Sequence, residues 1–369
     1  MRVAYVCSDA GVPVYGTKGA SVHVRELCRA FAELGHEVVV LAARRGSRRP
    51  AGFDIPVREL TPDALGTFRP DAVYERYALF GTAGLTLARE LGVPFALEVN
   101  APLSDEQAAY RRLERPGEAR ELERRVLQAA DRVIAVSPEV ARWAAERGAT
   151  RIMVVANGVD VDRFERAAGE RERVRAELRL NGEPAAGFLG TLKPWHDTRA
   201  LVRAAALLRR SGRRVRLVVI GDGPEREALE TLASETGVEA TFTGAVPHER
   251  VPELLSALDV AVAPYRDEPG FYFSPLKLFE YLAAGRPVVA ADVGDLSHCV
   301  RPGISGWLYR AGDDGALAAG IAAVLSDSRR ADAFGRIGRE HVRGHHTWKR
   351  NAEVVLDAIG QTRGRSRAS

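Results

Sequence analysis

The segment Ser274-Pro275-Leu276-Lys277-Leu278-Phe279-Glu280-Tyr281-Leu282-Ala283-Ala284-Gly285 carries the sharpest chemical signal in this chain. A helix opening near Pro275–Leu276 leaves the N–H groups of its first turn unpaired. Such groups, at the positive end of the helix dipole, favour a phosphate. Lys277 adds a full positive charge at that point. Glu280 follows one helical turn later, where a carboxylate can accept two sugar hydroxyls. Phosphate and ribose recognition one turn apart suit a nucleoside diphosphate. The rival reading is an ordinary helix with a surface glutamate.

Three further segments place glycines or a lysine after an apolar run. Gly16-Thr17-Lys18-Gly19-Ala20-Ser21-Val22-His23 is a Gly-containing turn feeding a helix, open to an anion. It is not GxGxxG, and no acidic residue follows in the dinucleotide pattern, which disfavours a nicotinamide dehydrogenase. His23 reads first as a residue of the helix face. In Gly190-Thr191-Leu192-Lys193-Pro194-Trp195-His196, Lys193 is a point charge suited to a phosphate. In Gly221-Asp222-Gly223-Pro224, two glycines let the backbone approach a ligand, and Pro224 fits a first helical position. A plain structural turn competes with each reading.

The elements that must hold these loops are short apolar runs alternating with helical patterns. Arg2–Cys7, Glu37–Ala42, Asp71–Tyr74, Pro94–Val99, Arg132–Ser137 and Ile152–Ala156 read as buried strands, rich in Val, Ile and Leu. A second set follows: Ala186–Leu189, Val215–Ile220, Ala240–Thr243, Asp259–Ala263, Pro287–Ala291 and Gly306–Tyr309. Helices are expected at Ala20–Leu34, Thr198–Arg210, Glu225–Thr236, Leu276–Ala284 and Asp313–Leu325. Strand–helix alternation implies right-handed βαβ units, so the fold class is α/β with two facing Rossmann-like domains. The expected division is residues 1–165, residues 166–345, and a final segment, 346–369, holding a helix that returns to the first domain and a basic tail. A cleft between domains, beyond the carboxyl ends of the strands, is the default ligand site.

Composition bounds the partners. The 369 residues hold 53 basic and 49 acidic side chains, a net of +4, with no basic stripe interleaved with aromatics, so nucleic acid is not an expected partner. Cys7, Cys28 and Cys299 are scattered without CxxC, which fits a reducing compartment and argues against a structural zinc site. The Met1–Cys7 run is too short for a signal peptide, and no stretch approaches the roughly 18 apolar residues of a membrane span. A cytoplasmic protein is expected. Arg111–Arg125 alternates Arg and Glu densely; its glutamates largely cancel its arginines, so a solvated surface is favoured over an anionic-membrane contact.

Lys277–Gly285, followed by Arg286-Pro287-Val288-Val289-Ala290, resembles the C-terminal signature of family 4 glycosyltransferases, which are retaining, metal-independent enzymes of the GT-B architecture. Gly19 with His23-Val24, Gly35-His36-Glu37-Val38, Asn157-Gly158-Val159-Asp160 with Phe164, Gly221-Asp222-Gly223-Pro224, and Phe242-Thr243-Gly244 through Val246 agree with it in order and spacing. The resemblance implies roles. Glu280 matches the second glutamate of a pair and holds the donor ribose. The backbone at Leu276 and Lys277 binds the diphosphate, beside the loops of Thr191, Lys193 and Gly221. Gly19 admits the pyrophosphate to the first domain, and Val246 reads the nucleobase edge through its backbone.

The chain departs from that pattern. Tyr272 stands where the first glutamate of the pair belongs. Thr191 and His196 replace the usual Arg and Lys, which leaves Lys193 for phosphate neutralisation. Asn100 replaces the commonest His after the strand Phe95–Val99, and Asn is no general base at neutral pH. The implied reaction moves a sugar from a UDP- or GDP-sugar, a co-substrate with no further cofactor or metal, to a sugar, natural-product or lipid-linked acceptor. Lys193 and Lys277 stabilise the leaving diphosphate, and Glu98 and Asn100 orient sugar or acceptor, with Glu98 a helper base only if its pKa suits. The alternatives are a nucleotide-sugar epimerase or hydrolase on the same scaffold, or a non-catalytic sugar-nucleotide binder.

Overall fold

A computed structural model describes residues 1–110, 112–267, 276–294 and 296–366. They form two α/β units. One comprises Met1–Asn157 together with the last helix, Trp348–Ser366; the other is drawn from residues 158–347. The helix Val161–Arg166 therefore lies in the second unit.

The first unit holds a seven-stranded parallel sheet: β1 (Arg2–Cys7), β2 (Glu37–Ala42), β3 (Val57–Glu59), β4 (Ala72–Arg76), β5 (Phe95–Val99), β6 (Arg132–Ala135) and β7 (Ile152–Val154), in the order β3-β2-β1-β4-β5-β6-β7. The second holds a six-stranded parallel sheet: β8 (Ala185–Leu189), β9 (Arg216–Ile220), β10 (Ala240–Gly244), β11 (Val260–Ala263), β12 (Val288–Ala291) and β13 (Gly306–Tyr309), in the order β10-β9-β8-β11-β12-β13. Central strands are buried on both faces, as in β1, where Val3 to Cys7 have lost nearly all exposure, and β11, buried throughout. That burial is why these strands read as unbroken apolar runs. The short edge strand β3, Val-Arg-Glu with no buried residue, carries no such signal and was legible only from its pairing with β2.

Each sheet reverses direction once. In the first, β1 has β2 on one side and β4 on the other; in the second, β8 lies between β9 and β11. At such a switch point the loops leaving two neighbouring strands diverge to opposite faces and open a crevice at the carboxyl edge. The loop after β1, running to the helix Gly19–Glu33, and Arg76 at the end of β4 flank the first crevice. The loop Gly190–His196 after β8 and Tyr265 after β11 flank the second. The last helix packs against Gly19–Glu33, through fully buried residues such as Ala352 and Ile359.

Candidate functional site

In the first unit the carboxyl edge is organised around Glu98, the penultimate residue of β5, which is 1% exposed. Its Oε2 accepts from the Tyr74 hydroxyl at 2.7 Å and faces His23 Nε2 at 2.8 Å. Its Oε1 takes Arg76 Nη1 at 3.2 Å and the side-chain amide of Asn100. Burial alone pushes this carboxyl up, but His23, Arg76 and the Tyr74 hydroxyl outweigh it and hold the group down at about 2. A carboxylate so weakly basic does not take a proton from a hydroxyl at neutral pH, so the helper-base role considered for Glu98 gives way to that of an anchor.

His23 lies in the first turns of the helix Gly19–Glu33 and is more than a helix-face residue. Besides facing Glu98, its Nδ1 sits 2.7 Å from Asn157 Oδ1, and its ring meets the edge of Trp348 at 5.0 Å. Both ring nitrogens thus face side-chain oxygens. Arg25, two residues on and buried, donates from Nη1 to the carbonyls of Val14 and Gly16 and pins the loop after β1. Gly19 itself is exposed at the head of the helix, away from this cluster of contacts.

In the second unit Lys277, the second residue of the helix Leu276–Ala283, is 8% exposed. Its ammonium lies 4.1 Å from the centre of the Phe188 ring and 5.1 Å from that of Tyr265, and it has no hydrogen-bond partner among the described residues. Aromatic faces attract a cation but do not replace its hydrogen bonds. Burial drives the Lys277 pKa down to about 7, against a weaker upward pull from Glu280. Gly190, at φ +137°, leaves room for this side chain: a Cβ there would come within 3.0 Å of Nζ. Gly221, at φ +135°, lies so close to Gly190 that a Cβ would run into the Gly190 carbonyl, and a Cβ on Gly223 would meet the Leu192 backbone at 2.6 Å. The two loops touch through backbone, which only glycine permits.

Glu280 faces the same helix turn and is 5% exposed. Its Oε1 takes His248 Nε2 at 2.7 Å. On the other side of that imidazole, Arg163 Nη1 points at Nδ1 at 3.5 Å, so Nδ1 accepts and Nε2–H donates to Glu280. Arg163 is paired with Asp160 at 3.2 Å. One carboxylate oxygen of Glu280 is thus oriented. His196 is a different case. Burial, with help from Lys277, lowers its pKa to about 2, and its Nδ1–H donates to the Thr191 carbonyl at 2.6 Å. This imidazole stays neutral and supplies no charge where the family resemblance places a lysine.

The structure thus gathers Lys277, Glu280, Gly190, Thr191 and Gly221 at the head of one helix and two strand ends. Leu276 is the half-buried first residue of that helix, and Val246 lies half-buried in the loop after β10. Lys193 stands on the Trp195 ring, 5.7 Å from its centre. Tyr272 lies outside the described residues. Sequence reasoning passed over Arg76, Tyr74, Phe188, Tyr265 and His248. Only Arg76 had a readable signal, a charged residue closing an apolar strand. Among the described residues no cluster of three His, Cys, Asp or Glu is placed to hold a metal ion, and no helix is long and apolar enough to cross a membrane.

Comparisons with known proteins agree with this layout. The profile of Glycosyltransferase Family 4 matches residues 17–163, and that of Glycosyl transferases group 1 matches residues 183–327. The chain is 36% identical over 304 residues to a D-inositol 3-phosphate glycosyltransferase of Nocardia farcinica, covering 78% of this chain and 66% of that protein. It is 33% identical over 269 residues to a 2-deoxystreptamine glucosyltransferase of Streptomyces kanamyceticus, covering 70% and 68%. The sucrose-phosphate synthase of Thermosynechococcus elongatus superposes over the full length of both chains with a TM-score of 0.77 at 23% identity, a likeness of fold. Two Rossmann-like units with the anion-ready helix head in the second, matched unit by unit to these profiles, make the chain a member of the family 4 glycosyltransferases, with the GT-B fold.

Proposed function

We propose that this glycosyltransferase moves a hexosyl group from a UDP- or GDP-sugar to an acceptor hydroxyl, with retention of configuration and without a metal ion. The observation that carries the reading is the Lys277 ammonium, buried, set against Phe188 and Tyr265, and without a hydrogen-bond partner among the described residues. A desolvated cation without partners is costly to keep unless a ligand supplies them. A diphosphate does so, and a charge already in place needs no reorganisation when the leaving group develops its own.

Glu280, oriented by His248, then takes the ribose hydroxyls, and the backbone at Leu276, Thr191, Gly221 and Val246 borders phosphate and base. Lys193, over the Trp195 ring, is a second charge for the phosphates. Because Asn100 is no base and Glu98 is held at about 2, the acceptor proton passes to the departing phosphate oxygen. The acceptor side falls to the first unit, where Asn100 and the Glu98 cluster orient it. Relatives named for inositol 3-phosphate and 2-deoxystreptamine support a cyclic polyol or amino polyol, free or carried on a natural product or lipid. The soluble-side, cytoplasmic setting of nucleotide sugars fits this reading.

The test is a panel of UDP-, GDP- and dTDP-sugars assayed in EDTA, with and without polyol acceptors, following nucleotide release and the anomeric configuration of the product. Acceptor-dependent release with retention is expected. Release independent of acceptor points to the hydrolase, and protection against unfolding without release points to the binder. Lys277→Ala is expected to reduce transfer by about 10²-fold or more.

A further inference from the structure

The two sheets differ at their switch points. In the first, β1 and β4 pair to the carboxyl end, from Val3 opposite Ala72 to Cys7 opposite Arg76. In the second, β8 and β11 pair at Ala186 opposite Val260 and Gly187 opposite Ala261, and the pairing stops there. Both strands run on and stay bonded on their outer sides, β8 as far as Leu189 opposite Ile220 and β11 as far as Ala263 opposite Ala290. A reversal of the sheet therefore does not by itself require a gap. Something holds these two strand ends apart.

The directions of the backbone groups identify the missing rung. Gly190 N–H donates to the Ile220 carbonyl at 2.9 Å, toward β9, so the N–H of Leu189 faces β11. Ala261 N–H donates to the Pro287 carbonyl at 3.0 Å, toward β12, so the carbonyl of Val262 faces β8. A continued ladder would join these two groups. The Tyr281 hydroxyl stands between them instead: it accepts from Leu189 N–H at 2.7 Å and donates to the Val262 carbonyl at 3.3 Å. Tyr281 is fully buried, and burial holds its phenol well above the ordinary pKa, so the proton for the second bond stays in place. One oxygen satisfies both buried backbone groups and adds its own width to the gap.

Tyr281 lies one turn after Lys277 on the helix Leu276–Ala283, and the two share a face of it. The Lys277 ammonium lies against the ends of both strands that the hydroxyl separates: Phe188 belongs to β8, and Tyr265 follows β11. We propose that Tyr281 is a positioning residue for the donor diphosphate: its hydroxyl keeps β8 and β11 from closing, and the space so kept seats the Lys277 ammonium at the strand ends. The role rests on the proposed transferase reading, which places the diphosphate beside Lys277. Fully buried, Tyr281 acts through that lysine. Without the hydroxyl, Leu189 N–H and the Val262 carbonyl are left unpaired; bonding to each other satisfies them and narrows the slot.

The test compares wild-type protein with Tyr281→Phe by calorimetric titration of UDP, GDP and inorganic pyrophosphate, at a temperature where both proteins are folded, with melting temperatures measured alongside. Tyr281→Phe is expected to weaken the nucleotide and pyrophosphate alike by about tenfold. A hydroxyl that serves stability alone lowers the melting temperature and leaves the affinities unchanged, and that result overturns the inference. If Tyr281→Phe does not fold, para-aminophenylalanine in place of Tyr281 carries the comparison. It keeps a donor for Val262 but is a poor acceptor for Leu189, so a loss of about threefold is expected, and wild-type affinity overturns the inference. If neither UDP nor GDP binds wild-type protein, the proposed function fails, and pyrophosphate still reports on Tyr281. Weaker pyrophosphate binding in the variant then supports the role, whereas equal binding, or none in wild-type protein, overturns it.

Discussion

Two ionisable residues set opposite pH responses. Lys277 is held at about 7 by burial, against 10.5 for a free lysine, so the fraction carrying charge falls as pH rises above neutrality. If the charged form binds the diphosphate, UDP affinity weakens by up to about tenfold per pH unit between pH 7.5 and 9, measured by calorimetry, and Lys277→Ala flattens the profile. A pH-independent affinity in the wild-type protein would refute that coupling. Glu98 works the other way. Its folded pKa of about 2 lies below the ordinary 4.5, so its contribution is fully present above 4.5 and lost as pH falls toward 2. The gap corresponds to about 3 kcal/mol. Glu98→Gln is expected to be destabilised at pH 7 by about that amount in denaturant unfolding, with the difference from wild type narrowing below pH 4.5.

At the level of elements, the second unit's strand ends meet through glycine. Gly221 and Gly190 have φ of +135° and +137° and stand too close for a side chain on Gly221. Gly221→Ala is expected to force the two loops apart and weaken UDP binding by about tenfold or more, while circular dichroism stays near wild type. Unchanged UDP binding would show that the loop contact does not shape the phosphate site. The surface helix Pro116–Ala129 is a second element whose residues divide by face. Arg115 pairs with Glu118 at 2.9 Å and Arg124 with Glu121 at 2.9 Å on the exposed side, whereas Glu123 is buried and binds the Tyr77 hydroxyl at 2.7 Å and Arg147 Nε at 2.6 Å. The glutamates cancel the arginines as the alternating pattern suggested, but one of them is a core residue rather than a surface charge.

For the molecule as a whole, the last helix is the element whose place in sequence and in space differ most. Trp348 is buried and touches His23, and Asn351 Nδ2 donates to the Ala156 carbonyl at 2.7 Å, all within the first unit. Trp348→Ala is expected to cost about 3 kcal/mol and lower the melting temperature, while the rise produced by UDP keeps its size because the residues proposed to bind the nucleotide lie in the other unit. Loss of the UDP effect would mean that the helix supports the nucleotide site too.

The sequence by itself determined the two strand sets, the helix carrying Lys277 and Glu280, and the glycine loops around them. Those are local matters: burial on both faces makes a strand apolar, helical spacing is written in the chain, and a backbone contact demands glycine. It also showed the family through motifs whose order survives a change of fold details. Only the tertiary structure decided what each charge faces. Glu98 became an anchor because His23, from a helix 75 residues earlier, and Arg76 and Tyr74, from the neighbouring strand, converge on it. Lys277 became a poised cation because Phe188 and Tyr265 enclose it. Electrostatic roles follow from distance and burial between residues far apart in the chain, and neither quantity is written in any one segment.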